Sequence, residues 1–403
     1  MRIVTRAIPA LERPLDRAPD HVWMSPDISL WGWGEAVHFD PGTGPDRIQR
    51  IRSGLTDLHT SSEVDDDLGR PGTGLVAFIS VTFATNSPGS VALVPRLVVG
   101  RAGDDWWMTT VDSSLEPPDP VESRPHPDRA RYAGSSVPDV LWLEAVSAAI
   151  DEIHRGAYEK IVLARDYAVW SRHPFSPATV LGSLVERFPS CQIFRVADLV
   201  GASPEVLVRR RGTRLSSLVL AGSTGSHADA EVDRAAGNAL LDSKKDRWEH
   251  ELAVRSVREA LDDLGVTYAA PEGPELLRLD NVQHLATPVT GDAGGHHVLD
   301  LVEALHPTAA VGGTPTEIAL DAISRLEGMD RGRYAGPVGW ADGRGDGDFA
   351  IALRCAELSG ARARLFAGAG IVEGSLPEAE LEETRIKLEA MMGALGAGSG
   401  RSR

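Results

Sequence analysis

The stretch CQIFRVADLVGASPEVLVRRRGTRLSSLVLAGS (191–223) holds three strand-like runs in succession, with no helical period between them. CQIFRVADLVG (191–201), PEVLVRRRG (204–212) and RLSSLVLAGS (214–223) are rich in Val, Leu, Ile and Phe, and Gly, Ser and Pro separate them. Those are strand compositions bounded by turn residues. Strands joined by such short connections pair antiparallel, because parallel neighbours need a crossover of a dozen residues or more. The stretch therefore predicts an α+β fold built on antiparallel sheets and argues against a doubly wound parallel one.

The same alternation continues outward. Upstream, VLWLEAVSAAIDEIHRG (140–156) has the apolar spacing of a helix and leads into strand-like KIVLARDYAVW (160–170), followed by helix ATVLGSLVERF (178–188). Downstream, one long amphipathic helix is expected over 232–264, with shorter helices near 298–305 and 315–326. A strand run then begins at YAGPVGWADG (334–343) and continues through DFAIALRCAEL (348–358) and ARARLFAGAGIV (361–372), before a last helix from 377 to 395. Residues 21–112 read as mostly strand, including GLVAFISVTFA (74–84) and SVALVPRLVVG (90–100). The Pro-rich EPPDPVESRPHPDRARYAGSS (116–136) reads as a loop, and GAGSGRSR (396–403) as a disordered tail.

Composition narrows the partners. The 403 residues are 42% hydrophobic, enough for a large core, and the net charge of −17 argues against nucleic acid or an anionic membrane. No run of 18 apolar residues exists, and the N-terminus lacks the apolar stretch of a signal peptide. Two cysteines, Cys191 and Cys355, make no disulfide framework, so a cytoplasmic protein is expected. Of 41 basic residues only four are lysines: Lys160, Lys244, Lys245 and Lys387. Where arginine serves as the general surface cation, a retained lysine can mark a position that needs a proton acceptor, since arginine stays charged.

Two groups of carboxylates have helical spacing. Asp242, Asp246 and Glu249 are four and three residues apart, and Glu380, Glu383 and Lys387 three and four. Two such helices facing each other could hold one hard cation, Mg²⁺ foremost. Spacing alone is met equally by two solvated helix faces. Lys160 opens an apolar strand, and Glu205 follows the turn GASP. AGAGIVEG (367–374) is a poor dinucleotide fingerprint, because its third glycine is one position late and its context is a strand. It reads instead as a backbone turn that brings amides to an anion. The histidines show no zinc spacing.

Ten segments then fall in one order: EKIVLAR, GASPEVL, LAGS, SKKDRWEHEL, HLATP, LHPTAAVGGTP, YAGPVGW, ALRCAEL, LFAGAGIV and ELEETRIKL. In that order the chain resembles the chorismate-utilising enzymes, which include isochorismate and salicylate synthases and the large subunits of anthranilate and aminodeoxychorismate synthase. The likeness is dense over 140–392 and looser before it, where SPD (25–27) and WGWG (31–34) are the marks. It implies one large domain of stacked antiparallel β-sheets flanked by helices. Residues 1–139 would form its β-rich N-terminal part and 140–392 its chorismate-binding region. By the resemblance Lys160 is the general base and Glu205 the general acid. Glu249 and Glu383 are the Mg²⁺ ligands, with Asp246 and Glu380 supporting them. Gly222, Ser223, His284, Thr308, Tyr334, Arg354, Gly368, Gly370 and Lys387 line the substrate pocket.

The chemistry fits these roles. Chorismate is a dianion, so an acidic cage can receive it only through a cation and through fixed groups such as Arg354. Water adds at ring carbon 2 while the hydroxyl leaves carbon 4. The base must be neutral to accept a proton, and the acid must be protonated to release hydroxide as water. Ammonia-using members of the family carry glutamine where this chain has Lys160, so the resemblance implies water as nucleophile, no glutamine amidotransferase partner and a monomer. HPTAAVGGTP (306–315) is similar to the isochorismate synthases. Salicylate synthases, which also carry the lysine and go on to eliminate pyruvate, are the alternative. A ligand-binding homologue without activity is the alternative from another class.

Overall fold

A computed structural model of the chain describes residues 1–120, 130–226, 228–279 and 282–397. Two large sheets are stacked. The first has 13 strands and the second 10. In the first, Lys160–Trp170 pairs along its whole length with Arg362–Val372, and the sheet continues through Cys355–Ser359, Leu199–Ser203, Gln192–Val196 and His21–Met24. In the second, Arg214–Gly225 lies between Val282–Asp292 and Val206–Arg211, followed by Gly347–Ile351, Pro337–Asp342 and Val76–Ser80. Pairing is antiparallel throughout both sheets except between Arg2–Ala7 and Glu63–Asp66. Each sheet joins a block of strands from before residue 139 edge to edge with a block from residue 160 onward, so the two portions share one core. Trp23, Phe78, Phe194, Trp340 and Phe349 are fully buried there. Truncating any one of these aromatics would cost about 3–5 kcal/mol.

Several runs that read as single strands are two strands divided by a corner. CQIFRVADLVG folds into the hairpin Gln192–Val196 and Leu199–Ser203, turning at Ala197, whose φ is 55°. SVALVPRLVVG breaks at Pro95–Arg96 into Val91–Val94 of the second sheet and Leu97–Ala102 of the first. DFAIALRCAEL likewise passes from the second sheet (Gly347–Ile351) to the first (Cys355–Ser359). Its corner includes Arg354, at φ 46°, a left-handed conformation that costs a non-glycine residue energy and often marks a functional position.

The expected helix over 232–264 is also two. Ala230–Asp242 ends at Ser243, whose ψ of 116° is not helical, and Lys244–Asp263 begins there with the Ser243 hydroxyl accepting from the Asp246 amide. Asp242 is therefore exposed on a different helix from Asp246 and Glu249, and the three carboxylates do not share a face. Arg47–Thr60, inside the region read as strand, is a helix. It buries Ile48, Ile51 and Leu55 in a narrow stripe that a run of polar residues masks in sequence. In the expected loop 116–136, Arg131–Gly134 adds an edge strand, and 121–129 lie outside the described residues. Of the expected tail, Ala397 is buried and 398–403 lie outside the described residues. Lys244–Asp263 packs on Arg214–Gly225, and Pro377–Ala394 packs on Arg362–Val372. Among the described residues no helix is long and apolar enough to cross a membrane.

Candidate active site

The two helices bring their carboxylates to one cavity. Glu249, Glu383 and Lys387 line it together with Glu205, Gly222, Ser223, His284, Tyr334, Arg354, Gly368 and Gly370. Val162, Val311, Leu353 and Phe366 supply apolar walls. The volume open to water is about 60 Å³. Ligand pockets typically hold roughly 300–1,000 Å³, so side chains must move apart to admit a ring.

Three of the four lysines face this cage, and each holds one glutamate. Lys160 is completely buried, its Nζ 3.2 Å from Glu249 Oε1. Lys387 Nζ lies 2.5 Å from Glu383 Oε1 and donates to the Gly368 carbonyl at 3.0 Å. Lys245 Nζ lies 2.6 Å from Glu380 Oε1. Asp246 is held by the Ser243 hydroxyl, and Ser223 donates to Glu383 at 2.5 Å. Burial pushes Glu380 up to about 7, with Glu383 adding to the rise. Burial, and then Glu249 and Glu383, also raise Asp246 against the lowering effect of Ser243. On Glu383 burial is outweighed by Lys387, and the carboxylate stays low. These oxygen donors on two facing helices suit a hard divalent cation. Among the described residues no three acidic, His or Cys groups close into a ready coordination cluster. The lysine count pointed to this place, but Lys245 was not read as part of it.

Glycines make the approach of the helices possible. A Cβ on Gly370 would come within 2.0 Å of Glu249 Oε1, and one on Gly368 within 3.2 Å of the Tyr334 hydroxyl. AGAG is thus the interior of a regular strand and not a turn. Opposite it, Val162 and Ala164 direct their own N–H and C=O groups away, to Gly312, Glu327, Arg331 and Trp142. In an antiparallel pair the facing residues must do the same, so Gly370 and Gly368 turn their backbone groups toward the cavity. Gly222, at φ +76°, forms a bulge that turns Ser223 toward Glu383.

Glu205 precedes a strand of the second sheet, His284 lies on another, and Arg354 stands at the corner between the sheets. Glu205 precedes Val206–Arg211 and is fully enclosed. Burial raises its carboxyl to about 8 against the opposing pull of Lys160, Arg354 and Lys387, so it is protonated at neutral pH. Arg354 donates to His284 Nε2 at 3.0 Å. Burial, and next Arg354 and Lys387, hold His284 well below its usual value, so the ring is neutral and accepts this bond. Tyr334 stacks on Phe366 with centroids 5.1 Å apart.

A family model for chorismate binding enzymes matches residues 108–396. The chain belongs to the chorismate-binding enzymes. The salicylate biosynthesis isochorismate synthase of Pseudomonas aeruginosa is 46% identical over 94% of this chain and 86% of that protein. MenF, the menaquinone-specific isochorismate synthase from Escherichia coli, superposes with a TM-score of 0.81 at 25% identity, covering 98% of this chain and 94% of that one. Anthranilate synthase component I from Streptococcus pneumoniae gives a TM-score of 0.71 at 21% identity over 91% and 92% of the two chains, a likeness of fold alone.

In this chorismate-binding enzyme Lys160 sits behind Glu249 and does not line the cavity itself. Asp246 and Glu380 stand outside the lining as well. Thr308 is also withdrawn. It is buried behind Ala310 and Val311, which do line the cavity, and its hydroxyl has no partner among the described residues. The enclosed acid has a measurable consequence. A carboxyl at about 8 when folded, and near its ordinary value of about 4.3 when unfolded, binds more protons in the folded state between those values. Stability is thus lost as pH rises through that window and is level above it. Glu205→Gln, which does not titrate, should raise Tm relative to the wild type more at about pH 8 than at about pH 5. An equal Tm difference at both would show that the Glu205 carboxyl is not shifted by burial.

Proposed function

We propose that this chain is an isochorismate synthase, a hydroxymutase that interconverts chorismate and isochorismate with Mg²⁺. The observation that carries the reading is a buried lysine behind one wall of the cavity and a buried glutamate on another, with burial pushing the glutamate's carboxyl up to about 8. Lys160 supplies a proton acceptor for water and Glu205 a proton donor for the departing hydroxyl. Arg354, oriented by His284, and Lys387 are the cations placed for the substrate's carboxylates. Glu249 and Glu383, with Asp246 and Glu380 beside them, would hold Mg²⁺, whose chemistry is to neutralise a bound carboxylate and polarise the ring it carries.

The side chains then act in sequence. Lys160, parted from Glu249 and having released its proton to solvent, accepts a proton from a water molecule, whose oxygen adds at carbon 2; after turnover solvent returns the proton that Glu205 gives up. The ring double bonds shift, and the carbon 4 hydroxyl leaves as water with the proton from Glu205. One water enters and one departs, so the reaction is an isomerisation. No ammonia is required, so the enzyme is read as acting without an amidotransferase subunit. Buried free thiols at Cys191 and Cys355 suit the reducing cytoplasm. Its product would feed menaquinone or siderophore biosynthesis; of the named relatives one is menaquinone-specific and one belongs to salicylate biosynthesis.

Purified enzyme with chorismate and Mg²⁺ should give isochorismate with little pyruvate, and should approach the same mixture starting from isochorismate. Lactate dehydrogenase coupling reports pyruvate, and salicylate is fluorescent. Pyruvate and salicylate appearing as fast as chorismate disappears would make the chain a salicylate synthase. Chorismate bound but unchanged would make it a ligand-binding homologue.

A further inference from the structure

Lys160–Trp170 lacks a strand partner over part of one edge. Gly313–Thr314 pairs with its first two residues, and Arg131–Gly134 with its last three. Between them the backbone is held largely by side chains. Glu327 accepts from the Ala164 amide at 2.7 Å, and Arg331 donates to the Val162 carbonyl at 2.7 Å. Trp142 donates to the Ala164 carbonyl at 3.2 Å. Arg331 also donates to the Val311 carbonyl at 2.8 Å and forks onto Glu327, with Nε 2.9 Å from Oε2. Both residues are 3% exposed, and the guanidinium lies 4.0 Å over the ring of Phe83. Val162 and Val311, the two residues whose carbonyls Arg331 grips, are walls of the catalytic cavity. Lys160 is two residues from Val162, on the same side of the strand.

We propose that Arg331 and Glu327 form a positioning clamp that fixes the gap between the strand carrying Lys160 and the 306–314 loop, and so the distance of the base from the reacting ring. This inference rests on the catalytic role of Lys160 assigned above. The clamp touches none of the groups placed for the substrate's carboxylates. Arg354 and Lys387 lie on other elements and keep their contacts to His284 and Glu383. Loosening the clamp therefore acts on the chemical step more than on binding.

The far side of the pair provides a direct test. Arg331, Glu327 and Phe83 also line a second cavity of about 630 Å³, open to solvent. Arg331→Ala leaves the Glu327 carboxylate at its wall, where a small guanidinium ion can enter and replace the missing group.

Arg331→Lys and Arg331→Ala should lower kcat by about 10²-fold, as misplacement of a reacting group by an ångström does, with KM changed by less than about threefold. Guanidinium, well below concentrations that unfold the protein, should restore kcat about tenfold in Arg331→Ala, on the scale of a recovered positioning contact. It should do nothing for the wild type or for Arg331→Ala combined with Glu327→Gln. Hydrogen exchange should rise in segments 160–170 and 306–314 of each variant and remain unchanged in 377–394. Wild-type kcat in a folded Arg331→Lys would overturn the proposal, as would a loss confined to KM or rescue that persists without Glu327. If Arg331→Ala does not fold, Arg331→Lys and Glu327→Gln carry the same kcat and exchange measurements. The same split is read on whatever product the wild type forms from chorismate. If the wild type turns chorismate over to nothing, the functional reading fails, and unchanged exchange in 160–170 is then the result that removes the clamp.

Discussion

Lys160→Arg should lose turnover about as completely as Lys160→Ala, each by roughly 10³-fold, within the range expected for a general base. The side chain is entirely inside the protein, 3.2 Å from Glu249. If its function were only to supply positive charge, arginine would preserve it and would offer Glu249 two hydrogen bonds at once. As a proton acceptor it cannot be replaced, because a guanidinium keeps its proton at any pH at which the protein is folded. Alanine removes the base and leaves Glu249 without its cation, so its loss of rate combines two effects. Arginine separates them, retaining the counter-ion and removing the base. Steady-state rates with chorismate and Mg²⁺, beside circular dichroism to verify folding, measure both. A Lys160→Arg enzyme with most of the wild-type rate would make Lys160 an electrostatic residue and end its assignment as base.

Much of the site was legible because its chemistry is written in rare residue types at fixed spacings. Glu249 and Glu383 each precede or follow another site residue by three or four positions, and lysine is scarce enough to stand out. The order of the ten segments identified the family, and with it the antiparallel stacked sheets. What remained illegible was set by long-range structure. Pro95 and the Arg354 corner send continuous apolar runs into different sheets, and composition does not distinguish a corner from a strand interior. Ser243 divides a helical pattern that stays amphipathic on both sides, so periodicity alone carried Asp242 into the wrong face. AGAG looked like a turn because glycine is usually read through its backbone freedom. Here the missing Cβ matters more, since Glu249 occupies its space. Pairing of Lys245 with Glu380 joins residues 135 positions apart, which no local pattern reports.

Removing Mg²⁺ should abolish turnover and leave the protein folded, and the arrangement of lysines is the reason for expecting both. Four buried or half-buried carboxylates brought together without a cation would repel one another strongly. In this structure Lys160, Lys387 and Lys245 neutralise Glu249, Glu383 and Glu380, and Ser243 holds Asp246. Three of the four carboxylates are therefore already paired with a cation, and the fourth is held by a hydroxyl. A cation that enters the cage must displace lysines, two of which the proposed reaction uses elsewhere, Lys160 for water and Lys387 for a substrate carboxylate. Glu249→Ala and Glu383→Ala should each lower kcat by roughly 10³-fold, the scale on which loss of a group that organises transition-state charge is felt. Each should also weaken Mg²⁺ binding measured by calorimetry. Lys245→Met should act in the opposite sense on the metal. It frees Glu380, so it should tighten Mg²⁺ binding while lowering Tm in chelator, where Glu380 is left buried and unpaired. Full activity in excess chelator would remove the metal from the reaction. A Lys245→Met protein with unchanged Mg²⁺ affinity and unchanged Tm in chelator would show that the lysine pairs do not compete with the cation.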